Sequence, residues 1–222
     1  MRLSTSERPQ RPGYSPLAQH FGLDPGLVFL NHGSFGACPT AILERQNELQ
    51  ARVERDAIRF FVEDLEPLLD AARLALGRVL SADPEGLVRV VNATAGVNTV
   101  MRSLRFSPGD ELLTNSHEYN ACNNVLRFVA AQSGARVVEV DIPWPVRGDR
   151  DVIDAILAGV TPRTRLVLLS HVTSATGLVF PVAEIVRELN ARGIESLVDG
   201  AHSPGMLPVG ARWGPGAQPP AI

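Results

Sequence analysis

The sequence predicts an α/β protein in which a mainly parallel sheet is flanked by helices. Two observations predict it. From Leu87 onward, short apolar runs alternate with segments of helical period, the pattern of strand-helix-strand units with right-handed crossovers. The clearest run, Leu166-Val167-Leu168-Leu169, is apolar at every position, as a strand covered on both faces should be.

Composition narrows the functional classes. Of the 222 residues, 45% are hydrophobic and 20% charged, values of a globular protein with room for a substantial core. A formal net charge of -3 provides no electrostatic reason to expect nucleic acid or an anionic membrane as partner. All 21 basic residues are arginine, so no side-chain primary amine is present to form a Schiff base. The two cysteines, Cys38 and Cys122, make no CxxC pair and read as small hydrophobes. The N-terminal residues lack the apolar centre of a signal peptide, and no apolar run is long enough to span a bilayer. A reduced, cytoplasmic setting is the expectation.

Residues 1–26, rich in Pro, Ser and Arg, are expected to form an extended arm. Leu27-Val28-Phe29-Leu30 is a strand candidate, followed by a loop, Asn31 to Gly36, with two glycines. Pro39 suits the first turn of a helix carrying Ile42, Leu49 and Val53 on one face. A second helix starts near Leu65, with Leu68, Leu69, Ala72, Leu76, Val79 and Leu80 at three- and four-residue steps. Val88-Arg89-Val90-Val91 then predicts a strand, and Val97, Val100, Met101 and Leu104 the inner face of a helix stopped at Pro108-Gly109. Strands follow at Leu112–Thr114, Val137–Val140 and Leu166–Leu169, with helices at Tyr119–Ser133, Asp151–Ala158 and Pro181–Arg192 between and after them. The last strand, Ile194 to Val198, leaves Asp199-Gly200-Ala201-His202 just past its end. Residues 209–222 carry no period and, with dense Pro and Gly, suit disorder.

Four loops at predicted strand ends carry the polar chemistry, on the edge where open α/β sheets bind ligands. Asn92 to Gly96 offers backbone N–H groups and the Thr94 hydroxyl at a helix start. That suits a phosphate, or Thr94 simply caps its helix. Tyr119 is either a packing residue or a flat platform for a ring. Ser170 to Gly177 is dense in hydroxyls, and Asp199-Gly200 is either a ligand contact or a turn. Together the four loops suit a ligand with a phosphate for the Thr94 loop, a flat ring for Tyr119, a protonated ring nitrogen for Asp199, and a ring hydroxyl for Ser174 and His202. Pyridoxal 5'-phosphate combines these features.

The ordered set of stretches resembles a known family. Phe29-Leu30-Asn31-His32-Gly33-Ser34-Phe35-Gly36, Asn92-Ala93-Thr94-Ala95-Gly96, His117-Glu118-Tyr119-Asn120-Ala121, Ser170 to Gly177 and Val198-Asp199-Gly200-Ala201-His202-Ser203-Pro204-Gly205 are similar to the class V aminotransferase-fold enzymes of PLP fold type I, and most to the isopenicillin N epimerase-like group. The resemblance implies a PLP-binding major domain over 27–208. It implies phosphate contacts from Ala93 and Thr94, Tyr119 against the ring face, and Asp199 on the pyridine nitrogen. Ser174 and His202 would lie near the ring hydroxyl, and Asn31 and His32 would border an amino-acid substrate. It further implies a homodimer.

The resemblance also implies parts that this sequence does not show: a lysine that carries the cofactor, and a C-terminal small domain. The expectation is therefore an incomplete, C-terminally truncated major domain with no catalytic residue of its own, inactive alone. Its ancestral reaction would be amino-acid epimerisation, or cysteine desulfuration or carbon–sulfur lysis. Two readings of other classes stand beside it: a non-catalytic remnant, and a metal-dependent hydrolase using His117, His171, His202 and Asp199.

Overall fold

The computed structural model describes residues 15–208. Most of the expected arm, residues 1–14, and the expected tail, 209–222, lie outside the described residues. The chain divides into two compact units, Met1–Leu69 and Asp70–Ile222.

In the first unit, a short 3-10 helix at Pro16–His20 is capped by Ser15, whose hydroxyl accepts from the Leu17 N–H. Helix α1 is the single turn His32–Phe35, in place of the expected loop. Helix α2, Thr40–Arg55, begins after Pro39 as its sequence predicts. Asp56 then breaks the run, and its carboxylate caps α3, Ala57–Arg59, by accepting from the Arg59 N–H at 3.0 Å. A π-helical stretch, Phe60–Asp64, leads directly into α4, Leu65–Leu80. Arg52 anchors this region by pairing with Asp64 at 2.7 Å and lying over the Phe60 ring. The expected strand at Leu27–Leu30 does not form. Leu27, Val28 and Leu30 are exposed, and none joins a ladder among the described residues. A short apolar run becomes a strand only where a neighbour accepts its hydrogen bonds.

The second unit is a three-layer sandwich. Its strands are β1 (Glu111–Asn115), β2 (Arg136–Val140), β3 (Thr164–Ser170) and β4 (Glu195–Asp199), all parallel, in the order β2-β1-β3-β4. Helices α5 (Ala93–Ser103) and α6 (Asn120–Ser133) cover one face. Helices α7 (Asp149–Ala158) and α8 (Val182–Ala191) cover the other. The two-residue period of the strands sorts the core. Leu112, Leu166, Leu168 and Leu197 pack with Val97, Met101, Val125 and Leu126. Leu113, Val167, Leu169 and Val198 pack with Ile153, Ile156, Ile185 and Leu189. Each such side chain contributes roughly 1.5–3 kcal/mol when fully buried. The uninterrupted apolar run Leu166–Leu169 of β3 follows from this, since neither face of it meets water.

One predicted strand of this unit is absent. Val88 to Val91 is unpaired, with Val88 and Val91 nearly fully exposed. Its β-branched residues satisfy the local preference, but no described strand lies beside it to complete a ladder. The remaining predicted strands and helices are present with boundaries shifted by a few residues. The last shift matters most: Asp199 is the final residue of β4 rather than the first beyond it.

Two close packings hold the sheet. Glu111, with its side chain 1% exposed, accepts from Arg136 at 2.6 Å, Arg163 at 2.9 Å and Thr161 at 2.6 Å, closing the N-terminal edge. Gly159, after α7, lies so close to the sheet that a Cβ there would sit 2.4 Å from Val140 Cγ1 and 2.9 Å from Leu113 Cδ1.

Candidate functional site

The order β2-β1-β3-β4 reverses direction between β1 and β3, and the polar loops lie at the carboxyl ends of these strands. Ser170 and Asp199 are register partners at the ends of β3 and β4, and the His171 N–H donates to the Asp199 backbone carbonyl at 2.9 Å.

Asp199 is 5% exposed. Its Oδ1 accepts from the Ala201 N–H at 2.9 Å, and its Oδ2 accepts from the Cys122 thiol at 3.3 Å. Glu118, also buried, uses Oε1 to accept from the Tyr119 N–H at 2.8 Å and from the Ser170 hydroxyl; its Oε2 has no partner among the described residues. Burial pushes the Glu118 carboxyl above the usual carboxylate range, and the Asp199 charge adds to that. Burial likewise pushes the Cys122 thiol far up, again aided by Asp199. Desolvation lowers the His171 imidazole. No arginine among the described residues forms an ion pair with Asp199 or Glu118.

Helix α5 packs on the face next to β4, with Val97 and Met101 sharing a core with Leu197. Its cap is Asn92, whose Oδ1 accepts from the Ala95 N–H at 2.8 Å. The alternative that Thr94 merely caps this helix is thereby removed. The Ala93 and Thr94 amides and the Thr94 hydroxyl have no acceptor among the described residues, so the first turn presents donors and the positive end of the helix dipole. Tyr119 immediately precedes α6 and is 43% exposed, so its ring is not a core element. His202 is half-buried in the turn after β4, and Ser174 is exposed in the turn after β3. Asn31 and His32 lie in the first unit, at α1.

The metal-hydrolase expectation is not supported by this arrangement. Among the described residues, the acidic, thiol and imidazole groups whose ligand atoms gather are Glu118, Cys122 and Asp199, and none of the three histidines belongs to that set. His117 instead bonds Thr176 Oγ1 at 2.9 Å. The donors suit a different kind of ligand. A helix start with free amides and a hydroxyl fits a phosphate. A buried carboxylate without a cationic side chain beside it fits a cationic ring nitrogen.

Comparison with known proteins decides the family. The model of the class V aminotransferases matches residues 36–212. The chain belongs to the class V aminotransferase family. It is 38% identical over 185 residues to isopenicillin N epimerase of Streptomyces clavuligerus, covering 83% of this chain and 46% of that protein. It is 30% identical over 199 residues to L-cysteine desulfhydrase of Arabidopsis thaliana, covering 83% of this chain and 44% of that protein. A solved structure of C-DES with glycine covalently linked to its PLP cofactor superposes with a TM-score of 0.80 at 28% identity, over 88% of this chain and 52% of that one. The chain thus spans about half the length of these relatives. As a class V aminotransferase fold, the second unit is the parallel-sheet core of a fold-type I major domain, and the family's cofactor is pyridoxal phosphate.

At these strand ends, sequence reasoning missed three participants. Cys122 is buried as expected of a small hydrophobe, yet its sulfur is a donor to Asp199. Glu118 ties the end of β1 to the end of β3. Asn92, and not Thr94, caps α5. A signal for the first two was present: Glu118 and Cys122 are four residues apart across a helix start, so both meet the same strand ends.

Proposed function

We propose that this chain carries the cofactor-holding part of a pyridoxal-phosphate-dependent, amino-acid-transforming enzyme of the isopenicillin N epimerase type. The observation that carries the reading is Asp199, a buried carboxylate at the end of β4 with two donors and no cationic side chain bonded to it. In this reading the Ala93 and Thr94 amides and the Thr94 hydroxyl bind the phosphate. Asp199 holds a proton on the ring nitrogen. Tyr119 covers one ring face and shields it from water. Ser174 and His202 approach the ring hydroxyl from the β3 and β4 turns. When bound, the cofactor supplies an electron sink for bond breaking at the α-carbon of an amino acid. The substrate-bordering role of Asn31 and His32 comes from the family resemblance alone, as does a homodimer. No helix among the described residues is long and apolar enough to cross a membrane.

The sequence contains no lysine. Cofactor binding by this chain is therefore reversible, and the chain by itself moves no α-proton. Titration of the 222-residue chain with pyridoxal phosphate, followed by absorbance, tests the reading. Saturable binding that dialysis removes is expected, weakened at least about tenfold in D199A, since a buried charge pair is lost. Equal binding by parent and D199A, or no saturable binding, overturns it. Borohydride reduction should fix no cofactor to any side chain.

A second reading, carbon–sulfur cleavage of cysteine, is favoured by the likeness to L-cysteine desulfhydrase. The contacts above serve either reaction. Sulfide release from cysteine, set against exchange of the α-proton with solvent deuterium, separates the two activities. Neither is expected from this chain alone.

A further inference from the structure

We propose that Cys122 is a positioning residue of the cofactor site, its thiol donating to Asp199 Oδ2 so that the carboxylate is held in one orientation at the end of β4. The proposal rests on the reading of Asp199 given above and adds a residue to it.

The geometry is a tie between two elements. Asp199 Oδ1 is already fixed by its own turn, through the Ala201 N–H at 2.9 Å. Without a second contact the side chain could still swing about that bond. The second contact comes from outside the turn: Cys122, in the first turn of α6, places Sγ 3.3 Å from Oδ2. The helix is itself seated by the buried bond between Thr114 Oγ1 and Asn123 Oδ1 at 2.7 Å, and by Val125 and Leu126 in the core. The thiol therefore transmits the position of β1 and α6 to the carboxylate on β4.

The charges around the pair agree with a donor role. Glu118 and Asp199 are the titratable groups gathered with Cys122. Burial favours the neutral acid at Glu118. Burial and the Asp199 charge both oppose a thiolate at Cys122, so its sulfur keeps the proton it donates. A thiolate here would be a second anion beside Asp199 and would repel the carboxylate that the cofactor needs.

The S–H stretch in the infrared reads this bond directly in the cofactor-free chain. In a C38S background Cys122 is the remaining thiol. Its band should lie at lower frequency than in C38S/D199N, where an amide replaces the carboxylate in the same shape. Pyridoxal phosphate titration supplies the second readout. C122A should raise the dissociation constant about fivefold, as expected for losing one weak donor to a charged group. C122S, which keeps a hydroxyl donor, should stay within about twofold of the parent and shows that the site still folds. A band unmoved by D199N, parent-like binding by C122A, or C122S binding as weakly as C122A each overturns the proposal. If D199N moves the band but leaves cofactor binding unchanged, the thiol–carboxylate bond stands, while the cofactor reading of Asp199 and the positioning role both fall.

Discussion

His117 Nδ1 lies 2.9 Å from Thr176 Oγ1, and this contact joins the loop after β1 to the turn after β3. Thr176 Oγ1 is in turn 2.7 Å from Thr173 Oγ1, which accepts from the Leu178 N–H at 2.9 Å. The His117 ring centroid lies 5.9 Å from that of Trp144 and 6.5 Å from that of Phe180. The crevice at the reversal point of the sheet is thus bridged by side chains from both of its walls. Replacing Thr176 with Val keeps the shape and removes the bridge. Faster amide exchange at residues 173–178 is expected, with a stability loss of no more than about 1 kcal/mol because the bond is exposed. Hydrogen exchange and urea unfolding measure the two effects.

Gly159 tests the packing of α7 on the sheet. A methyl group there meets Val140 and Leu113 at distances that real Cβ atoms do not adopt. Gly159→Ala should destabilise by roughly 1–3 kcal/mol through overpacking. Gly148→Ala is the control, since a Cβ there meets nothing within 4 Å and its φ of 176° is ordinary extended backbone. Comparable urea midpoints for the two variants would contradict the packing.

Glu111 sets an acid limit. Its bonds to Thr161, Arg136 and Arg163 lower its carboxyl from 4.5 to about 2. A depressed acid contributes stability that is present above the unfolded value and is lost as pH falls through the folded one. Between about pH 4.5 and 2, the parent should lose stability more steeply than E111Q, as measured by thermal unfolding at stepped pH.

Glu118 has the opposite sign. Its folded carboxyl is raised, chiefly by burial, so its contribution is fully present below the ordinary glutamate value and falls as pH rises through the folded one. E118Q keeps an acceptor for Ser170 and Tyr119 without the charge. It should match the parent in mild acid and become relatively more stable toward neutral and alkaline pH. A constant difference across the whole range would show that Glu118 does not titrate in the fold.

The sequence by itself determined the layered core and the side of the sheet that carries the chemistry. The unbroken apolar run at β3 and helices with three- and four-residue steps call for a sheet covered on both faces, and a parallel sheet then brings its polar loops to one edge. The tertiary structure decided which apolar runs became strands. Leu166 to Leu169 found neighbours on both sides, whereas Leu27 to Leu30 and Val88 to Val91 have no described neighbour to take their hydrogen bonds. It also decided the partners of Asp199. That a carboxylate ends a buried strand is visible in the order of residues. That its oxygen meets a thiol 77 positions earlier depends on α6 being laid across the same face as β4, a long-range packing fact that no local pattern encodes.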